Sequence, residues 1–241
     1  MGKPLYTLRP LWLVFSFPMK RAIIAELLDS DSGTPAEIVT ALADLQRVNR
    51  WFGGVATTQS LVQYVAEKLG TSSLSLLEVA AGSGYVPEAT RQRLQNRGVR
   101  LEVTLLDRAP SHLINGNRAV AGDALALPFP DASFDLVGCN LFAHHLASQQ
   151  LVQFVDEALR VCRTAVLIND LVRHGLHLAL VYAGFPLYRS RLTRHDAPAS
   201  VRQAYTPQEM VALLAQTKTG QVEIRRHYLF RMGVIAWKVR R

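Results

Sequence analysis

An α/β fold built on a mostly parallel sheet is what this sequence predicts, and three observations predict it. From about Leu74 onward, short apolar runs alternate with helical stretches, the rhythm of βαβ units. A glycine-containing turn, Ala80-Ala81-Gly82-Ser83-Gly84, sits between the first of these runs and the helix after it. The last two β-rich runs, Val222–Phe230 and Met232–Val239, are almost contiguous, as an antiparallel pair finishing a sheet edge would be.

The composition agrees with a globular chain. Its 241 residues are 49% hydrophobic and 19% charged, enough to bury one α/β core with a small helical cap. The net charge of +8 raises the question of an anionic partner. The basic residues are scattered, however, and the densest group (Arg225, Arg226, Arg231, Lys238, Arg240, Arg241) reads as a solvated face. A small-molecule partner is therefore expected rather than nucleic acid. Cys139 and Cys162 lie in or beside apolar segments and form neither a disulfide framework nor a zinc spacing, so no metal and a reducing, cytoplasmic setting are expected. The apolar run Leu11–Phe17 is too short for a bilayer, which takes about 20 residues, and no small-residue cleavage site follows it. Residues 1–18 are read as an extension ahead of a natural start at Met19. A monomer or homodimer is expected.

Taken in order, Met19-Lys20-Arg21 opens an amphipathic pattern, and helices are predicted from Arg21 to about Leu69, making 19–72 an N-terminal helical cap. Thr34-Pro35-Ala36-Glu37 combines an N-cap, a proline at the first helical position and the reciprocal acid of a capping box. Ile38, Leu42, Leu45, Val48 and Trp51 follow at helical spacing, with Gly53-Gly54 as the stop and a further helix from about Ser60 to Lys68. Trp51 and Phe52 are candidates to close over a ligand, although aromatics at such spacing are more often core. Strands are predicted at about Leu74–Ala80, Arg100–Leu106, Arg118–Ala121, Phe134–Cys139 and Ala165–Asn169, with the clearest helix from about Ser148 to Cys162. Residues 170–206 interrupt the pattern, and a stretch of that length reads as a substrate lid. Thr206-Pro207-Gln208-Glu209 restarts a helix with a second capping box.

The chemistry gathers at predicted strand ends. In Leu77-Glu78-Val79-Ala80-Ala81-Gly82-Ser83-Gly84, glycines let the backbone approach a ligand closely. Asp107 closes the next strand, where an acid can accept hydrogen bonds from both hydroxyls of a ribose. Asp123, in Gly122-Asp123-Ala124, is placed to bind the exocyclic amine of an adenine. A dinucleotide site wants a small residue where Pro87 stands, and Glu78 would repel a pyrophosphate. An acid there suits a cationic ligand, one carrying an ammonium and a sulfonium.

The chain resembles the class I, Rossmann-like methyltransferases of the ubiquinone/menaquinone-biosynthesis (UbiE-like) family, and most of all a bacterial subgroup found beside type III polyketide synthases. The shared motifs are Asn49-Arg50-Trp51-Phe52-Gly53-Gly54, Glu78 to Gly84, Gly122-Asp123-Ala124 with Leu127-Pro128-Phe129, and Phe134-Asp135. Phe142-Ala143-His144-His145-Leu146 and Asn169-Asp170-Leu171-Val172-Arg173 complete them. The resemblance implies a seven-stranded sheet with S-adenosylmethionine as cofactor and S-adenosylhomocysteine as product. It implies that Gly82 and Gly84 hold the amino-acid part, Asp107 the ribose, and Asp123, in the Gly-Asp-Ala turn with Ala124, the adenine, with Glu78, Ala80, Arg108 and Asn140 also expected in the cofactor site. Ala80 stands where the family usually has glycine.

Methyl transfer from a sulfonium needs alignment and exclusion of water more than side-chain chemistry. A phenol acceptor, with a pKa of about 10, still gains from a base. His144 or His145, following the fourth strand, is the candidate base; the alternative is that one contacts cofactor and the other packs. Asp170, Arg173, His174 and His177 form a second cluster, read first as a polar helix start. The expected activity is O-methylation of a phenolic, polyketide-like or quinone-like acceptor. The alternatives are a nucleic-acid methyltransferase and a non-catalytic cofactor-binding partner.

Overall fold

The computed structural model describes residues 19–29, 32–108, 118–227 and 229–239. The apolar runs form seven strands: β1 (Ser73–Val79), β2 (Arg100–Asp107), β3 (Arg118–Ala121), β4 (Phe134–Asn140), β5 (Cys162–Leu171), β6 (Thr219–His227) and β7 (Arg231–Lys238). They make one sheet in the order β3-β2-β1-β4-β5-β7-β6. β1 to β5 pair in parallel, and β7 runs antiparallel to both β5 and β6. The central strands carry continuous aliphatic runs because both faces are covered. Leu77, Val137, Val166 and Ile168 pack under α4 (Ser148–Val161) through Leu151, Phe154 and Val155. Leu74, Leu76, Leu136 and Leu167 pack on the other face under α2 (Gly54–Leu69) through Leu61, Val62 and Val65.

The sheet order reverses between β1 and its two neighbours, β2 and β4, and such a switch point opens a crevice at the carboxyl ends of the strands. Every site residue predicted from strand ends lies along that edge. A surface groove of about 960 Å³ lined by Arg91, Arg100, Arg118 and Arg163 lies at the opposite, amino-terminal edge, away from those residues.

Local chemistry sets several boundaries. α1 (Pro35–Trp51) and α7 (Pro207–Leu214) both begin with complete capping boxes, Thr34 with Glu37 and Thr206 with Glu209. α3 (Tyr85–Gln95) follows the glycine turn. The 170–206 region holds α5 (Gly175–Ala183), a short 3₁₀ turn at Phe185–Leu187 and α6 (Arg191–Gln203). α5 has no buried residue, so Leu176, Leu180 and Tyr182 present an apolar outer surface.

Three expectations are corrected. Residues 19–26 are not helical, and 27–29 form only a turn. Their backbone donors are satisfied by α6 instead: the amides of Leu27 and Leu28 donate to the Asp196 carboxylate at 2.8 and 3.1 Å, and that of Ala22 to the Arg202 carbonyl. α2 starts at Gly54, not near Ser60, because Gly53 at φ 82° turns the chain within two residues. The apolar face of α1 is only half-buried, and Trp51 is exposed rather than core. The helix buries Ala41, Asp44 and Asn49 instead. The extension before Met19 lies outside the described residues.

Candidate active site

Glu78, next to last in β1, is almost completely buried. One carboxylate oxygen accepts from the Asn140 amide, and the other is buried without a hydrogen-bond partner. Burial pushes the carboxyl up to about 7, with the Asn140 hydrogen bonds pulling the other way. A buried acid with an unsatisfied oxygen is the feature expected where a cationic ligand docks.

Three residues of the following turn lie in the left-handed region, Ala80 at φ 53°, Gly82 at 52° and Gly84 at 68°. Ala80 thus adopts the torsion that glycine takes without strain, and the loop keeps its form despite the substitution. Gly84 answers a separate demand, since a Cβ there would stand 2.5 Å from the Leu105 side chain. Asp107, at the end of β2, accepts the Gly82 N–H at 2.8 Å and so ties the turn to the neighbouring strand. Arg108 is exposed beside it. Asp123 is exposed at the end of β3 and accepts the Leu125 N–H, fixing the turn that contains Ala124.

Asn140 joins this edge to a buried polar network. Its side-chain oxygen accepts from Thr58 at 2.7 Å and from Asn169 at 2.6 Å. Behind Asn169 lies a fully buried guanidinium, Arg231, which donates to the Phe52 carbonyl, the Asn169 oxygen and the Asn49 oxygen. Burial lowers its pKa to about 10, with Asp170 raising it. The Asn49–Gly54 motif is thereby explained: Asn49 receives Arg231, and a Cβ on Gly54 would overlap the Asn49 side chain. Sequence reasoning missed Arg231, counting it among surface charges. A cation flanked by apolar residues in a β-rich run was the available signal.

The histidines stand on a 3₁₀ turn, Ala143–His145, after β4. His144 is buried, and its Nδ1 lies 2.6 Å from Asp170 on β5. Burial alone would lower its pKa, but the carboxylates of Asp170 and Glu26 hold it well above the ordinary histidine range. His145 is 19% exposed and has its Nδ1 2.7 Å from Asp29. The Nε2 atoms of both rings face Glu26, at 3.6 and 4.0 Å. Glu26, His144 and His145 bring ligand-type atoms within 4.8 Å of one another. Arg21 clamps the turn, donating to the carbonyls of His144 and Leu146 while its guanidinium lies 4.0 Å over the Tyr205 ring.

The second cluster divides. Asp170 belongs with His144. Arg173 is buried and braces the Met19 and Ala204 carbonyls and Glu209. His174 caps α5, and both His174 and His177 stack on Phe230 at 5.0 and 5.1 Å. His177 donates to the Val172 carbonyl, and burial pushes its pKa down to about 4. These are packing roles.

A seven-stranded sheet of this order, with one antiparallel closing pair and a glycine turn after β1, is the Rossmann-like fold of class I methyltransferases. Residues 77–168 match the family model described as a methyltransferase domain. Among solved structures, the plantazolicin methyltransferase BpumL, in complex with a monoazolic desmethylPZN analogue and SAH, shares the fold with a TM-score of 0.68 at 12% identity, covering 89% of this chain and 95% of that one. The plantazolicin methyltransferase BamL, in complex with a triazolic analogue and SAH, gives 0.63 at 17% identity over 83% and 73%. The citrinin polyketide synthase CMeT domain gives 0.61 at 15% identity over 88% and 59%. No curated relative matches the chain in sequence.

Proposed function

We propose that this protein transfers the methyl group of S-adenosylmethionine to a small-molecule acceptor, at an oxygen of a phenolic, polyketide-like or quinone-like compound. The observation carrying the cofactor half is the buried, partly unsatisfied Glu78 beside the left-handed turn of Ala80, Gly82 and Gly84. An acid in that position attracts the cationic methionyl end of the cofactor and would repel a pyrophosphate. Asp107 and Arg108 then serve the ribose, Asp123 and Ala124 the adenine, and Asn140 holds Glu78 in place. SAH bound in the similar BpumL and BamL structures supports the same ligand here.

In the reaction an acceptor oxygen attacks the sulfonium methyl, an O–CH₃ bond forms, the S–CH₃ bond breaks, and the sulfur leaves with the electron pair as SAH. The acceptor must shed a proton at or before that step. His144 is committed to Asp170, so the hydroxyl is activated at the His145, Glu26 and Asp29 corner. The 170–206 region acts as the lid, its apolar α5 suited to an apolar acceptor. The arginine-lined groove lies at the edge opposite the candidate site, so it gives a nucleic-acid acceptor no support there, and among the described residues no helix is long and apolar enough to cross a membrane.

Calorimetry with SAH tests the first half, and tritiated cofactor with a phenolic panel and with bulk RNA tests the second. Label passing into phenols but not RNA is expected. Well-folded protein that takes up no SAH would remove the reading, and uptake without transfer to any acceptor would favour a cofactor-binding partner.

A further inference from the structure

We propose that Glu26, His144 and His145 form a binding site for a divalent transition-metal ion of the zinc class. The site uses the Glu26 and His145 of the activation corner, so an ion bound there would replace them as the means of activating the hydroxyl; its uptake can be tested apart from methyl transfer. It is assembled from two distant stretches of chain, the segment pinned on α6 by Asp196 and the turn after β4 clamped by Arg21.

Four features support it. The donor set, two imidazole nitrogens and one carboxylate, is a common zinc set that leaves a further position open. The ligand-type atoms lie within 4.8 Å of one another, with His144 Nε2 3.6 Å from Glu26 Oε1, an oxygen that Ser200 and Gln203 also hold at 2.7 and 2.6 Å; donors about 2.1 Å from a tetrahedral ion stand about 3.4 Å apart, so an ion would draw the three side chains slightly together. The outer shell is also in place. Each histidine has its Nδ1 on a carboxylate, His144 on Asp170 at 2.6 Å and His145 on Asp29 at 2.7 Å, which turns both Nε2 atoms toward Glu26. Carboxylates behind ligating imidazoles fix the ring and raise its basicity. Finally, His144 Nε2 is buried with no hydrogen-bond partner within 3.5 Å, and what it faces is the Glu26 carboxylate at 3.6 Å, so an ion placed between them would meet a donor on each side.

The charges agree. Glu26, Asp29 and Asp170 place three carboxylates around two imidazoles, so a divalent ion taking the place of the His144 proton would be well compensated. His145 is the most exposed of the three ligands, so the open coordination position faces that side, where water or an acceptor oxygen would complete the shell. An acceptor hydroxyl there would lose its proton more readily, as metal-bound water does.

The test uses the full chain, stripped with chelator and titrated with zinc chloride by calorimetry, with cobalt(II) absorption as a second reading. One equivalent of zinc is expected, with a tetrahedral cobalt spectrum. Glu26→Gln and His145→Ala should each weaken uptake by on the order of 100-fold or more, and Asp29→Asn by about 10–100-fold, with thermal melting of the apo variants as the check on folding. If Glu26→Gln does not fold, the partly exposed His145 carries the test. Folded wild type that takes up no zinc, or uptake unchanged in His145→Ala and Asp29→Asn, overturns the site. SAH affinity measured in the same samples separates that failure from failure of the methyltransferase reading.

Discussion

Asp107 and Gly82 are joined across two strands, the carboxylate accepting the glycine N–H at 2.8 Å. The acid proposed for the ribose therefore also fixes the shape of the turn proposed for the methionyl group. Asp107→Ala is expected to weaken SAH binding by about 1–3 kcal/mol, through lost charge-assisted hydrogen bonds and a loosened turn. Calorimetry checks this, and an unchanged dissociation constant would take Asp107 out of the site.

Glu78 gives the pH dependence. Burial raises its carboxyl from 4.5 to about 7. Between those values the unfolded chain has released the proton that the folded chain keeps, so stability falls as pH rises from about 4.5 to 7 and stays lost above. The full loss is about 3 kcal/mol. Glu78→Gln never ionises, so it should be more stable than wild type at pH 8 by up to that amount while binding SAH more weakly. Urea melts of the apo proteins at pH 5 and pH 8 measure it. A variant no more stable at pH 8 than wild type would show that the buried charge carries no penalty.

Ala80 holds a left-handed torsion at φ 53°. An L-residue with a Cβ is strained there by about 1–2 kcal/mol, and glycine returns part of that as unfolded-state entropy. Ala80→Gly should therefore stabilise the apo protein by about 1 kcal/mol, seen as a higher urea midpoint at constant slope. A lower midpoint would mean the turn has a different backbone.

Arg231 is the buried tie of the polar network. Arg231→Leu leaves the Asn49 and Asn169 oxygens and the Phe52 carbonyl without their donor. A loss of about 3–5 kcal/mol is expected. Arg231→Lys should recover only part of it, because an ammonium cannot reproduce the planar fork. Denaturant unfolding of both variants is the measurement, and a neutral Arg231→Leu would dismiss the network as a source of stability.

These cases also mark what can be read from sequence. The capping boxes at Thr34 and Thr206 and the aliphatic runs of β1, β2, β4 and β5 are local, so the elements and the sheet class were legible. The glycine turn and the two strand-end acids were legible because they are short motifs fixed to strand boundaries. The partnerships were not. Arg231 meets Asn49 across 182 residues, and His144 meets Asp170 across 26, and neither separation leaves a periodic trace. Residues 19–29 misled for a related reason. Their apolar spacing suits a helix, but the Asp196 carboxylate, supplied by α6, takes the amides that a helix would use.

The contact between Leu27 and Asp196 has a kinetic consequence. The two residues are 169 positions apart, so the strap carrying Glu26 and Asp29 can dock only once α6 is in place. Ordering so late in the chain's collapse carries the loop-closure cost of a long-range contact. The amides of Leu27 and Leu28 should exchange hydrogen well before those of β1, through openings that leave the β1–β2 side of the crevice intact. On that outcome one rim of the crevice would belong to the sheet itself, and the other would be a band that assembles late and releases early.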